Sequence, residues 1–324
     1  MTTKVMIQKT NLNFLSKFLK KGSFLANLIK FRVLFLMLLP ALLYAVVIDY
    51  LPLSGLMLAF KKYNYADGIF GSPWAGFNNF RYMIESGKLT RLIFNTVAYN
   101  VIFIVLGQIL KITIAILLAE MVGKKIKKLI QSLMFLPYFV SWVVAAAFAY
   151  NFLNYEYGIV NSVIKSFGGQ PVDVYATPWV WYFILPIFNA WKWVGYGSVL
   201  YLATIMGMDA ECFESAEIDG ANAFQRIWHI TIPLLKPTIT ILILLSIGRI
   251  LRGDFQMFYQ LVGNASLLYD TTDVIDTFVF RSLTQVSDMG MTAAASLLQS
   301  VFCFILIVTV NALVKKYQSD SALF

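Results

Sequence analysis

Six apolar stretches, at roughly 33–59, 92–119, 132–153, 179–204, 238–262 and 292–314, decide what this chain can fold into. Each is long enough for a helix to cross a hydrocarbon core about 30 Å thick. In lipid the backbone must satisfy its own hydrogen bonds, which leaves helices or closed barrels, and apolar stretches of this length read as helices. Pro40 and Pro52 are expected to interrupt or end the first, and Pro137 and Pro186 to sit inside later ones. The composition agrees: 59% hydrophobic and 13% charged residues, with mean hydropathy +0.71, leave too little polar surface for a water-soluble fold. The expected architecture is therefore an all-α integral membrane protein. It has one six-helix domain over 33–314, a basic segment over 1–32 and a short tail over 315–324. No soluble domain, linker, low-complexity run or short repeat is visible.

The formal net charge of +9 reports topology rather than a nucleic-acid partner. Seven basic residues and no acid lie in the first 32, from Lys4 to Arg32. Four more (Lys124, Lys125, Lys127, Lys128) follow the second stretch, two lie in the loop 205–237, and Lys315 and Lys316 follow the last stretch. These fifteen outnumber the seven in the alternate loops, so both termini and the 205–237 loop are expected in the cytoplasm. No small-residue cleavage signal precedes the first span, so an uncleaved cytoplasmic start is expected. Leu12, Leu15, Phe18 and Leu19 share a helical face opposite Lys17, Lys20 and Lys21, which suits a helix lying on the inner leaflet.

Enzymatic chemistry finds no support. Gly123-Lys124-Lys125 lacks the upstream glycine and the hydroxyl of a phosphate-binding loop. One histidine, His229, and two distant cysteines, Cys212 and Cys303, assemble neither a zinc site nor a Cys/His pair. His229 is expected to be a structural or interface side chain. No cofactor and no metal site is expected in this chain.

The polar stretch Glu214–Pro237 stands out because it lies between two long apolar ones. Asp209, Glu211 and Glu214 crowd the first turns of a short helical pattern, where the helix dipole favours negative charge. Gly220 then supplies a corner that other residues adopt poorly. Asn222 is placed to cap a second helix carrying Phe224, Ile227 and Trp228 on one face, and Pro233 is expected to stop it. Glu214, Ser215 and Ala216, then Gly220, then Ile230, Ile232 and Pro233 resemble the cytoplasmic loop signature of ABC importer permeases: EAA, three residues, Gly, nine residues, Ile, one residue, Leu-Pro. Ser215 replaces the middle Ala and Ile232 the Leu.

The resemblance implies the type I ABC importer permease fold of the maltose-type carbohydrate family. Gly76-Phe77-Asn78-Asn79-Phe80 is similar to the G-x-x-N-F stretch before the second span of these permeases, and Asn95-Thr96 recurs at its start. Asp273–Arg281 with Leu298-Gln299-Ser300-Val301 and the final Leu323-Phe324 resembles the branch associated with lipoprotein-linked polysaccharide transport and alginate import. The family implies a second homologous permease, two ATPase subunits that hold ATP and Mg²⁺, and an extracytoplasmic solute-binding protein delivering an oligo- or polysaccharide. Glu214, Ser215, Ala216, Asp219, Gly220, Phe224, Trp228 and Pro233 would then form the ATPase-docking element. The membrane lipid is the remaining partner.

Charge within spans marks candidate pathway positions, because it is costly in lipid and faces protein or water. Lys192 lies in Asn189-Ala190-Trp191-Lys192-Trp193-Val194-Gly195-Tyr196, a mixture of aromatic faces and polar groups suited to sugar rings, although aromatics also serve packing and interfaces. Asn95, Tyr99, Arg249 and Gln256 are further candidates, and Arg252 with Asp254 is expected to pair. Lys192 and Arg249 on a pathway would favour an anionic saccharide. The rival readings are an ion-coupled secondary transporter, which must treat the Gly220 loop as coincidence, and a non-transporting scaffold that recruits a soluble partner.

Overall fold

The computed structural model describes residues 30–85, 87–286 and 288–317. The expected surface helix around Leu12–Lys21 and the Leu323-Phe324 terminus lie outside them. Among the described residues the chain is all-helical, with a single isolated bridge between Lys61 and Trp74. It divides into two compact units, residues 1–57 and 58–324.

In the first unit, α1 (Arg32–Ala45) contains Pro40 without stopping there. It runs through a π turn, Val46–Tyr50, into a tighter 3-10 segment, Leu51–Phe60, that carries Pro52 and leads into the second unit.

The second unit opens with a short irregular segment and α2 (Asn78–Glu85). The Asn79 side chain donates to the carbonyls of Ala59 (2.9 Å) and Lys61 (3.1 Å), and Phe80 is buried beside it. The G-x-x-N-F stretch thus ties the end of a 3-10 segment whose carbonyls have no helical partner. Next comes α3 (Lys88–Glu120), 33 residues and so about 50 Å long.

The third apolar stretch is expected as one span over 132–153 but is broken. α4 (Lys124–Phe139) and α5 (Trp142–Leu153) meet at 96°. Pro137 weakens the last turn of α4, and Ser141 caps α5 by accepting from Val144 N–H at 3.3 Å, so the chain restarts in a new direction. After α6 (Ile159–Ser166), α7 (Trp181–Met206) follows.

The loop helices α8 (Ala210–Ile218) and α9 (Ala223–Arg226) lead through a π turn, Ile227–Thr231, into α10 (Ile232–Ile247). The expected stop at Pro233 is absent. Ile232 N–H reaches back five residues to Ile227 O, and the widened turn admits the proline ring near the start of α10. The expected span 238–262 is correspondingly displaced: the continuous helix is Ala223–Ile247, and a break at 248–254 separates it from α11 (Phe255–Val262). Then come α12 (Tyr269–Thr272), α13 (Ile275–Arg281) and α14 (Met289–Tyr317).

Four helices among the described residues are long and apolar enough to cross a membrane, or five if the bent pair α4/α5 is one span. α7 falls outside that set, although its 26 residues suffice in length. Asn189, Lys192 and its many aromatics dilute its hydropathy, and its neighbours bury what lipid would not accept: Trp181, Leu185, Lys192, Gly195, Ser198 and Tyr201 are all enclosed.

Helix association in lipid relies on close packing and hydrogen bonds more than on hydrophobic burial. α7 has its most extensive contacts with α3, and Tyr201 Oη donates to Gln108 Oε1 across them at 2.6 Å. Small residues let backbones close up: Ala115, Ala145, Ala294 and Ala295 are at most 1% exposed. One core cluster joins Tyr99, Trp142, Trp181, Met257 and Phe258, a second joins Phe80, Leu92, Leu251 and Phe278, and a third joins Leu118, Tyr201 and Leu235.

Candidate functional site

At the polar loop, local chemistry sets the shape. The Asp209 side chain accepts from Glu211 N–H (3.1 Å) at the start of α8. At its end, Gly220 has φ +79°, Ala221 N–H bonds Ala216 O (2.9 Å) and Gly220 N–H bonds Glu217 O (3.0 Å). These two bonds satisfy terminal carbonyls and reverse the chain, a geometry that favours glycine. Asn222 and Gln225 then form a reciprocal capping box, with bonds of 2.9 and 2.8 Å. The result is a rigid two-helix corner.

Glu214, Ser215, Asp219, Gly220, Phe224 and Trp228 are exposed, and Ala216 and Pro233 are half-buried. Phe224 and Trp228 stack in parallel, 6.3 Å between centroids, yet are 72% and 60% exposed. An exposed aromatic pair on a well-capped corner is a surface built to be covered. A hollow of about 580 Å³ lies alongside, lined by Asp209, Glu211, Cys212, Ser215, His229 and Pro233. His229 Nδ1 lies 3.0 Å from the Gln225 carbonyl one turn back.

The two helix breaks show where the buried polar residues go. Non-helical backbone at membrane depth requires side chains to satisfy it. At the α4/α5 break, the Lys192 ammonium donates to Val140 O and to Tyr138 O (3.2 Å), and lies 5.0 Å from the Trp142 ring centre. Asp254 accepts from Trp142 Nε1 (3.1 Å) and caps α11 through Met257 N–H (3.1 Å). Lys192 is close enough to act on its charge. The expected Arg252–Asp254 ion pair is absent among the described residues. Asp254 faces the indoles instead, because its capping role turns it toward α5.

At the second break, Asn100 Nδ2 donates to Ile250 O (2.9 Å) and Arg252 O (3.2 Å), and Gln299 Nε2 to Leu251 O (2.6 Å). Gly253 N–H donates to Asp276 Oδ2 (2.6 Å). Asn100, Asp276 and Gln299 escape single-residue inspection of the sequence. Gly248 and Gly253-Asp254, a helix-ending glycine and a capping pair inside an apolar run, were the available signal.

The candidate pathway residues separate into two groups. Asn95 is buried and donates to the carbonyls of Asp270 and Asp273, both at 3.1 Å. Tyr99 is buried between the Tyr182 and Phe258 rings, its hydroxyl without a partner among the described residues. With Lys192 they sit inside the fold. Asn189, Trp193 and Tyr196, at i, i+4 and i+7, share a more open stripe of α7, where Tyr196 stacks on Tyr138 at 4.3 Å. Trp191 is exposed on another side of α7, and Arg249 and Gln256 are exposed at the second break.

At the other end of α3 from Glu120, a cavity of about 680 Å³ is lined by Lys88, Arg91, Asp270, Asp273, Arg281 and Gln285. Arg91 pairs with Asp270 and Arg281 with Asp273, and the Arg281 guanidinium lies 4.0 Å from the Tyr269 ring centre. Among the described residues no group of three metal-ligating side chains occurs.

Residues 111–319 match the family described as the inner membrane component of binding-protein-dependent transport systems. The chain is 31% identical over 298 residues to protein LplB of Bacillus subtilis, covering 92% of this chain and 93% of that one. It is 29% identical over 302 residues to YteP of the same organism, a polygalacturonan/rhamnogalacturonan transport system permease, covering 93% of each. Among solved structures, it resembles a chain of a bacterial ABC transporter involved in the import of the acidic polysaccharide alginate, with TM-score 0.83 and 29% identity over 90% of this chain and 98% of that one. A second structure of a bacterial alginate ABC transporter, in complex with an alginate pentasaccharide-bound periplasmic protein, matches with TM-score 0.82. With that match and the shared helical architecture, the chain belongs to the inner-membrane permease components of binding-protein-dependent transport systems.

Proposed function

We propose that the chain is a permease subunit of an ATP-binding-cassette importer for an oligo- or polysaccharide, with acidic sugars such as alginate as the favoured class. It crosses the membrane six times, with α7 as the polar span, and both termini and the Gly220 corner face the cytoplasm. A second homologous permease completes the pathway, two ATPase subunits hold ATP and Mg²⁺, and an external binding protein delivers the sugar. No catalytic group in this chain takes part in hydrolysis.

The observation that carries the reading is the docking corner: a left-handed Gly220 and a capping box present the exposed Phe224–Trp228 pair as one rigid surface. Ala216 and Gly220 allow close approach by the ATPase cleft, and Glu214 and Asp219 offer charge to it. Closure of the ATPases around ATP favours one arrangement of the docked corner, and rigid helices carry that bias to the pathway. The acidic-sugar reading draws support from a relative of the polygalacturonan/rhamnogalacturonan transport system and from a solved transporter involved in alginate import. Asn189, Trp193, Tyr196, Arg249 and Gln256 are the proposed pathway contacts, and Trp191, on another side of α7, is left out of them. Lys192, Asn95 and Tyr99 support them from behind.

The test is affinity purification in mild detergent, mass spectrometry of co-eluting chains, then ATP hydrolysis with uronate and neutral oligosaccharides. An ATPase, a second permease and uronate-dependent stimulation are expected. A chain that elutes alone under these conditions would defeat the docking argument.

A further inference from the structure

Among the charged side chains of the docking corner, one is half-buried while the others are exposed. Arg226, the last residue of α9, is only 20% exposed in its side chain, whereas Phe224 and Trp228 beside it face outward. Its Nη2 lies 3.5 Å from Glu120 Oε2, at the last residue of α3, and its Nη1 lies 3.8 Å from Glu217 Oε2 on α8. Its Nε is enclosed without a partner among the described residues. Enclosing a guanidinium costs free energy that two loose ion pairs recover incompletely. Replacing such ion pairs by apolar residues is often neutral or stabilising, so the position of Arg226 rather than its packing is where a role is sought.

The position indicates that role. Arg226 joins both helices of the corner to the end of α3. α3 makes the fold's most extensive helix contact, with α7, and its far end is tied to α12 and its C-cap Asp273 by Arg91 and Asn95. A displacement at the corner therefore meets a rod about 50 Å long that is gripped at both ends.

We infer that Arg226 is the positioning residue coupling the ATPase-docked corner to α3 through Glu120, so that the corner and α3 move as one body; this rests on the permease reading above. Glu217 holds the guanidinium in line from the α8 side. Arg226 touches neither ATP nor sugar.

The test uses the whole complex in proteoliposomes and reads sugar transported per ATP hydrolysed, with ATPase co-purification and thermal stability as controls. Variants are Arg226→Ala, Glu120→Gln, and the exchange Arg226→Glu with Glu120→Arg. Both single variants are expected to keep their ATPase yet lose about tenfold in transport per ATP, within the usual range of coupling between sites. The exchange is expected to recover most of it, which a packing role would not produce. Unchanged transport per ATP in Glu120→Gln, or an exchange no better than its singles, overturns the inference. If the unaltered chain recruits no ATPase, the permease reading itself fails, and that result is visible before any variant is made.

Discussion

Replacing Lys192 by Met distinguishes a helix pin from a sugar contact. Methionine keeps much of the length and removes the ammonium that holds Tyr138 O and Val140 O at the α4/α5 break. Hydrogen bonds to a charged group are worth about 1.5–3 kcal/mol each, so two bonds amount to roughly 3–6 kcal/mol. Stacking on Trp142 adds about 1 kcal/mol. Against this, the variant no longer has to desolvate a buried ammonium, a relief of several kcal/mol. Removing one partner of a buried charged set costs about 3–5 kcal/mol in net terms, and the low end applies because Asp254 keeps its indole and backbone donors. At about 2 °C per kcal/mol for a chain somewhat larger than 250 residues, the expected loss is roughly 6 °C in apparent melting temperature.

The assay is tryptophan fluorescence of the detergent-solubilised complex at one fixed heating rate, since membrane proteins of this size unfold irreversibly. Trp142 and Trp193 report from beside the break itself. A variant with parental stability and a raised KM for sugar would refute the pin and return Lys192 to the pathway. Parental stability with normal transport would show that the two carbonyls need no cation.

Other substitutions probe different parts of the argument. Gly220→Val forces a β-branched residue to φ +79°, although its Cβ would meet nothing within 4 Å. Membrane insertion is therefore expected to survive while sugar-stimulated ATP hydrolysis is lost. Normal stimulation in that variant would contradict the docking role. Gly195→Ala places a methyl 1.8 Å from the Met134 carbonyl, between α7 and α4. Backbone cannot yield as a side-chain tip does, so the monodisperse yield after solubilisation should collapse, whereas an unchanged yield would mean the two helices are not in contact.

Local chemistry was legible in the sequence wherever a few neighbouring residues decide the outcome. Asp209, Gly220 and Asn222 act within four residues of themselves, and the corner has the expected turn and the expected Asn222 cap, with Asp209 capping α8 besides. The apolar stretches announced helices, because length and hydropathy are enough for that inference. Their interruptions were harder to see. Nothing in 132–153 specifies a 96° change of direction, although Pro137 followed by Ser141 carries the two ingredients, a weakened end and a cap. Pro233 gave the opposite error, since a proline stops a helix only where the turn before it cannot widen. Lys192 showed the limit of reading one residue at a time: a lysine in an apolar helix demands oxygen partners, but these were carbonyls freed some fifty residues earlier in the chain. Asn95 and Asn100 likewise satisfy backbone that only the folded chain brings to α3.

The dilute hydropathy of α7 reaches back to the moment the protein is made. A lysine near the middle of a segment adds about 2.5–3.5 kcal/mol against entry into lipid, and Asn189 opposes it further. The segment is thus a poor client for insertion by itself. Synthesis runs from the N-terminus, so α3 and α4 are already in place when α7 emerges, offering the Gln108 acceptor and the carbonyls that Lys192 requires. Under the proposed six-span topology, with α7 as a span, biogenesis becomes an ordered partnership in which earlier helices chaperone a later one. A glycosylation reporter carrying α7 alone should insert poorly and should insert well once α3–α5 precede it; efficient solitary insertion would remove the need for that partnership.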